Sequence, residues 1–320
     1  MVIAPTTFSS STAASTPTRA SPALDATTLT GIRTNLGWYR HGGGDPTTKL
    51  GRTSMARAMF TPDGPATVVL QWGSGRLEVA SWGPGGEWAA TSAIAMTAVG
   101  KVLDLPPGPH PLVRDAARRH STLAAGSSGD LYHALLPTII EQRITAGEAV
   151  RQWMRLAYRL GEAPPGPSLG LLLPPRPERL ASMPTWWFHP LGIEAKRARP
   201  LIEVARVAAN SSRLWDWATL PPDQVAGKLD LIRGVGPWTI GIVLGPVCGD
   251  DDAVAIGDYH FPNVVSWNLA GEPRADDSRM VELLEPYRPQ RGRVIRLLGL
   301  AGRRPPAFGP KRRILPMYRW

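Results

Sequence analysis

The run Ile-Arg-Gly-Val-Gly-Pro-Trp at positions 232–238 constrains this chain more than any other stretch. Before it, "PPDQVAGKLDLI" has a helical period, with Val225, Leu229 and Ile232 on one face. After it, "PWTIGIVLGPV" reads as a second helix. Between them, Gly234 and Gly236 allow backbone angles that other residues resist. Pro237 suits a first helical turn, because the N–H it lacks would have been unpaired there. Asp223 is placed to cap the first helix with its carboxylate. The segment is therefore a helix, a tight hairpin and a helix. N–H groups at the start of the second helix point outward and, with the helix dipole, form a donor site for a phosphate oxygen. Gly-Val-Gly alone is equally compatible with an ordinary helix–helix turn.

Charge narrows the partner. Lys and Arg number 36 against 26 Asp and Glu, giving a net charge of +10 and a pI near 10.3. That balance favours a polyanion, nucleic acid before an anionic membrane surface. With 43% hydrophobic residues the chain can bury a real core. A single cysteine, Cys248, excludes a disulfide framework, a cysteine-based zinc site and a four-cysteine iron–sulfur cluster. A reducing cytoplasm is the expected compartment and a monomer the expected state. No apolar run reaches about 18 residues, so no membrane-spanning helix is expected.

The organisation predicted is α+β, an N-terminal β-rich domain followed by a mainly α-helical domain. Residues 1–24 are Ser/Thr/Ala/Pro-rich and read as a disordered tail rather than a signal peptide. An α+β domain is expected over 25–111, mainly β from 25 to 82. Its clearest sign is "TVVLQWGSGRLEVASWG" (67–83), two strands about Gly-Ser-Gly. A helix follows over 87–105, and "PPGPHP" (106–111) marks a boundary. The helical domain spans 112–302, with helix-compatible spacing over 113–124, 133–160, 194–209, 222–233, 237–247, 263–270, 277–286 and 291–300. Residues 161–177 form a Pro/Gly-rich loop, and 303–320 a basic tail. Arg291, Arg293, Arg296, Arg303, Arg304, Lys311, Arg312, Arg313 and Arg319 occupy a stretch without an acid, either an electrostatic footprint or a solvated end.

Past the hairpin, "GDYH" places Asp258 twenty residues after Trp238. This combination resembles the helix-hairpin-helix, Gly/Pro-rich, aspartate superfamily of DNA glycosylases. Within it, "GVGPWT" and "GDYH" look most like 3-methyladenine DNA glycosylase II. "LPTIIEQRITAGEA" (136–149) is similar to the family's early helix pair with its Gln-containing junction, and "LGIEAKRARPLIEVA" (191–205) to its Leu-Gly, Lys, Ala pattern. The resemblance covers roughly 112–302. It implies a damaged base in double-stranded DNA as the substrate, flipped out of the helix because chemistry cannot reach it inside the stack. Asp258 is then the catalytic carboxylate, stabilising positive charge on the sugar and activating water; it can also cap the helix beginning near Tyr259. Arg233, Gly234, Val235, Gly236 and Thr239 would grip the backbone. Gln142 and Arg143 occupy the wedge junction, where Arg143 could instead bind phosphate or stack on a base. Trp238 and Tyr259, by motif, and Trp186 and Trp187, by their loop, are candidates for an aromatic pocket able to hold a cationic methylated purine. His189 and His260 read as structural. Glu141 offers a second carboxylate or a helix-end role.

Members that also cut the backbone carry a lysine where this chain has Trp238, and an indole cannot attack the sugar as an amine does. The expected enzyme is monofunctional. No cofactor is required by the resemblance. A structural K+ or Na+ at the carbonyls of Leu231, Gly234 and Gly236 is implied by it. Asp250, Asp251 and Asp252 read as a loop charge run rather than a metal site. Two alternatives stay open: a glycosylase for oxidised or deaminated bases, and a catalytically silent DNA-binding protein.

Overall fold

The computed structural model describes residues 24–101, 105 and 109–306. The expected tail before Leu24, residues 106–108 of the boundary and the basic tail from 307 onward lie outside the described residues. The chain begins with α1 (Ala26–Leu36) and a 3-10 turn (Gly37–Tyr39) rather than with strands. Asp25 accepts the Thr28 N–H at 2.6 Å and starts the helix, while Ile32 and Leu36, one turn apart, are both buried. The threonines of "ATTLTGIRTNL" masked that period. Four strands follow, β1 (Thr48–Leu50), β2 (Ser54–Thr61), β3 (Gly64–Gly73) and β4 (Arg76–Trp82), forming an antiparallel sheet in chain order. The expected hairpin joins β3 to β4: Gly73 pairs with Arg76 across Ser74 (φ 48) and Gly75 (φ 75), the two positive angles that a tight primed turn needs. Helix α2 (Gly86–Met96) is shorter than 87–105 because Ala98 adopts φ 55, a left-handed angle that ends a helix.

The remainder is helical: α3 (Pro111–Arg119), α4 (Leu131–Glu141), α5 (Ala146–Leu160), α6 (Pro177–Ala181), α7 (Ala195–Asn210), α8 (Arg213–Trp217), α9 (Pro222–Asp230), α10 (Pro237–Cys248), α11 (Phe261–Ala270), α12 (Asp277–Leu284) and α13 (Arg291–Ala301). The periodic stretch 133–160 is two helices. The break falls at Gln142–Thr145, where Arg143 takes φ 61 and the Thr145 side chain caps α5. Short α6 and α8 carry too few residues to show a period. Asp223 does not cap α9, because the helix starts at Pro222 and puts it within the first turn.

The sheet is a middle layer. Alternation along β2 sends Met55 and Met59 into a core with α1 and α2, and Ala58 and Phe60 into the larger helical core. Helix α4 is the hub of that larger core, buried along its length and packed against α5, α7 and α10. Its final turn is fixed by Arg197, a buried guanidinium that donates to the Ile140 carbonyl at 2.9 Å and to Gln152 Oε1 at 2.6 Å. Such a helix-end carbonyl would otherwise lack a partner.

The acidic run is a clasp. Asp251, 5% exposed, pairs with Lys101 and with Arg296 and accepts the Ala125 N–H at 2.8 Å. Asp252 binds Arg291 at 2.6 Å. Arg293 is buried and donates to the Leu123 carbonyl. Arg291, Arg293 and Arg296 thus act inside the fold, which corrects the reading of 291–320 as one external footprint. Asp251→Ala should destabilise the protein by about 3–5 kcal/mol, because it leaves buried cations unpaired. Urea unfolding measures this, and a loss below about 1 kcal/mol would show the clasp to be dispensable.

Candidate functional site

Helices α9 and α10 meet in the hairpin Leu231–Gly236, and the two glycines there have different causes. Gly234 has φ +93, and a Cβ on it would lie 3.0 Å from Pro200 of α7. Both strain and crowding demand glycine. Gly236 has φ −119 and ψ −173, extended backbone open to any residue, and a Cβ would meet nothing within 4 Å. Nothing inside the protein requires its lack of a side chain. It leaves the N-terminus of α10 open to close approach from outside, where first-turn N–H groups lack helical partners.

The hairpin is tied to the end of α4. Gln142 Nε2 donates to the Gly234 carbonyl at 3.0 Å and to Thr239 Oγ1 at 2.9 Å. Thr239 is buried and Val235 is core, while Arg233 and Leu231 are exposed at the tip. Two of the three carbonyls proposed for a monovalent cation already accept N–H donors, Gly234 from Gln142 and Gly236 from Ile240. A cation would have to share them. Among the described residues no group of three or more His, Cys, Asp or Glu is arranged to hold a metal. The tie also commits Gln142, leaving exposed, left-handed Arg143 as the free side chain of the junction.

Asp258 is held by three donors. Its Oδ1 accepts the main-chain N–H of His260 at 2.8 Å and of Phe261 at 2.9 Å, and its Oδ2 accepts the Trp238 indole N–H at 2.8 Å. The first two cap α11. The third joins it to the first turn of α10. Gly257, with φ +88, turns the chain into this position, and its N–H donates to Asp277. The carboxylate is half-buried and lines a surface groove of about 710 Å³ with Tyr259, Asn263, Arg274 and Pro305.

Beside it, between the sheet layer and the helices, lies a more enclosed cavity of about 370 Å³. Its walls include Trp38, Tyr39, His41, Arg57, Glu141, Asp250, Phe261 and Arg296. Phe261, on the cavity wall, donates to Asp258 in the groove, and the charge of Asp258 acts on Glu141. The Glu141 carboxyl is pushed up, first by burial and then by Asp258. Burial drives His41 down to about 4, partly opposed by Asp45, so it is neutral at pH 7. Arg296 falls to about 10 through burial, stays charged, and lies 3.3 Å over the Trp38 ring. Burial raises Cys248 to about 12, which removes it as a thiolate nucleophile.

None of the four aromatics expected to form a base pocket is on the cavity wall. Trp238 holds Asp258, and Tyr259 is 78% exposed on the groove. Trp186 is 74% exposed on the 3-10 turn Thr185–Leu191, and Trp187 packs edge-on against Phe188 at the helical core. Trp38 and Phe261 occupy the wall instead. Trp38 sits in a turn between α1 and β1 with no motif around it, so nothing local marks it. Phe261 is three residues beyond Asp258, and a pocket position follows from that spacing once the cap is known.

No family model matches the chain. A Bacillus subtilis (strain 168) protein, YfjP, provisionally assigned as a DNA-3-methyladenine glycosylase, is 25% identical over 161 residues, 49% of this chain and 55% of that relative. The chain thus matches only about half the length of this curated relative. The 3-methyladenine DNA glycosylase of Archaeoglobus fulgidus superposes with a TM-score of 0.65 at 16% identity, over 87% of this chain and 94% of that one. The Clostridium acetobutylicum 8-oxoguanine glycosylase/lyase, in complex with double-stranded DNA, gives 0.56 at 11% identity, over 88% and 96%. The chain therefore shares its fold with these DNA glycosylases.

Proposed function

We propose that this protein is a monofunctional DNA glycosylase, working as a monomer in the cytoplasm. It would remove alkylated, 3-methyladenine-like bases from duplex DNA as the first step of base excision repair. The observation that carries the reading is Asp258, an oriented carboxylate that lines a surface groove beside an open helix N-terminus. The hairpin grips one strand through N–H groups at Gly236 and the first turn of α10, with Arg233 beside it, so that phosphate contacts set register without reading sequence. Arg143 enters the stack or clamps the flanking phosphate as the damaged nucleotide leaves the helix. Breaking the glycosidic bond puts positive charge on the sugar, which Asp258 stabilises while it orients the water that adds at C1′. Trp238 supplies an N–H donor and no amine, so no Schiff base forms and the product is an intact strand with an abasic site.

A second reading concerns the base. Arg57 and Arg296 line the cavity, and Arg296 already covers a face of Trp38. Guanidinium groups repel a cationic purine and donate to carbonyl oxygens, which favours neutral oxidised or deaminated bases.

Duplexes bearing one defined lesion, treated with and without alkali, test the proposal. Strand breaks should require alkali, and Asp258→Asn should slow them by on the order of 10²–10³-fold. Breaks without alkali would overturn the monofunctional assignment, and tight binding with no breaks would leave only a DNA-binding role. Binding should weaken steeply with salt as counterions are released.

The two hairpin glycines separate folding from binding. Gly234→Ala should lose about 1–3 kcal/mol of stability through backbone strain and contact with Pro200. Gly236→Ala should keep its stability within about 1 kcal/mol and weaken DNA binding. Equal melting temperatures for the two variants, or undiminished binding by Gly236→Ala, would remove the phosphate clamp.

A further inference from the structure

Glu141 is the last residue of α4 and lies on the wall of the enclosed cavity. Its neighbours are fixed. The Ile140 carbonyl is held by Arg197, and the Gln142 side chain is held by the hairpin. The Glu141 carboxyl itself makes no hydrogen bond or ion pair among the described residues; its one recorded interaction is the charge of Asp258. The position is a poor one for an anion on three counts. It is mostly removed from water, it feels the charge of a second carboxylate, and it stands at the negative end of the α4 dipole. A structural role does not account for an acid that has no partner and is destabilised where it stands.

Resting on the glycosylase reading above, we infer that Glu141 is the general acid of this site, protonating the leaving base and so extending excision to uncharged purines. A cationic alkylated purine departs as a neutral molecule without help. A neutral purine leaves as an anion unless a proton arrives as the bond breaks. As C1′–N9 cleaves, its electron pair passes to the purine and the Glu141 proton moves to a ring nitrogen. Water adds to the sugar at C1′ and loses a proton through the Asp258 carboxylate to solvent, from which Glu141 is reprotonated. Two carboxyls in different environments then divide the work: Glu141 delivers the proton to the base, and Asp258, held by three N–H donors, serves the sugar and the water.

The other titratable groups on this cavity are compatible with that division. From the N-terminal region come His41, neutral at pH 7, Tyr39, raised by burial and un-ionised, and Arg57. The loop after α10 contributes Asp250, raised by burial, and α13 contributes Arg296. Because burial and Asp258 raise Glu141, the acid form persists above the ordinary carboxylate range and is lost as pH climbs through the raised value. Excision of a neutral base should therefore fall on that alkaline side.

The test compares the full chain and Glu141→Gln in single-turnover excision, on duplexes carrying one hypoxanthine or one 7-methylguanine, across pH. The variant should lower the hypoxanthine rate relative to the 7-methylguanine rate on the order of 100-fold. It should abolish the alkaline limb for hypoxanthine, melt no lower than the parent, and leave the Kd for either duplex unchanged. Glu141→Asp, which keeps a carboxyl, should restore part of the ratio. Equal losses on both lesions, an unchanged ratio, or a parent protein that excises 7-methylguanine but never hypoxanthine would overturn the acid and leave the glycosylase. A parent that excises neither base would overturn the glycosylase reading itself.

Discussion

The carboxamide of Gln142 closes the one joint on which the site depends. Helix α4 ends at the edge of the helical core, and α10 begins at the hairpin. A single side chain donates from the end of the first to the Gly234 carbonyl and to Thr239 at the start of the second. Gly234 reaches that place only because its left-handed angle and absent Cβ let the hairpin lie against Pro200 of α7. From this joint everything functional is set by short covalent distances. Trp238 follows the hairpin by two residues and orients Asp258. Glu141 and Arg143 flank Gln142 on either side. A loose joint would let the outward N–H groups, the carboxylate and the junction arginine drift separately, and catalytic geometry tolerates little drift.

Charge is used twice in this chain, and the two uses are separated in space. The net charge of +10 suggests a surface covered in unpaired cations. Yet several arginines are internal fasteners: Arg293 on loop carbonyls, Arg197 on the end of α4, Arg291 and Arg296 on the acidic clasp. Buried pairs of this kind contribute modestly when intact and cost much when broken. They fix the relation of α13 to the α10–α11 loop, whose far end carries Asp258. Arg143, Arg233, Arg303 and Arg304 remain exposed. Long-range attraction to a polyanion falls to groups of that kind.

The hairpin and the carboxylate were legible because their signals are local. Gly-x-Gly followed by Pro fixes backbone shape within a few residues, and a twenty-residue spacing places one acid. The α+β division and the β3–β4 hairpin were legible for the same reason. Helix α1 was not: four threonines look like strand, and what overrides them is the Asp25 cap and burial of Ile32 against the sheet, a long-range fact. The aromatics expected around a base lie off the cavity wall for the opposite reason. Trp186, Trp187 and Tyr259 stand out by type and motif, but which wall an aromatic faces depends on how the sheet layer docks on the helices. That docking brings Trp38 and Arg57 from the N-terminal region to a cavity whose other wall is α10 and α13. Arg197 was hidden in a run of basic residues on an amphipathic helix, where a buried cation looks like a solvated one.

Arg296 shows why stability and selectivity are hard to separate in such a cavity. Its guanidinium is desolvated, which costs free energy, and two contacts offset that cost: the Asp251 carboxylate at 2.9 Å and the Trp38 ring at 3.3 Å. The same stacking removes one aromatic face from any ligand and puts fixed positive charge on the wall. Its Nη1 has no hydrogen-bond partner among the described residues, an unusual state for a buried donor. Replacing Arg296 with a neutral residue would open the Trp38 face to a cationic base. It would also strip Asp251 of one of its two cations and loosen α13 from the loop that leads to Asp258. A change of ligand preference at this wall is therefore coupled to the clasp that holds the Asp258 loop in place. Among the described residues the Glu141 carboxyl has no partner to lose, so its part of the wall can change without that cost.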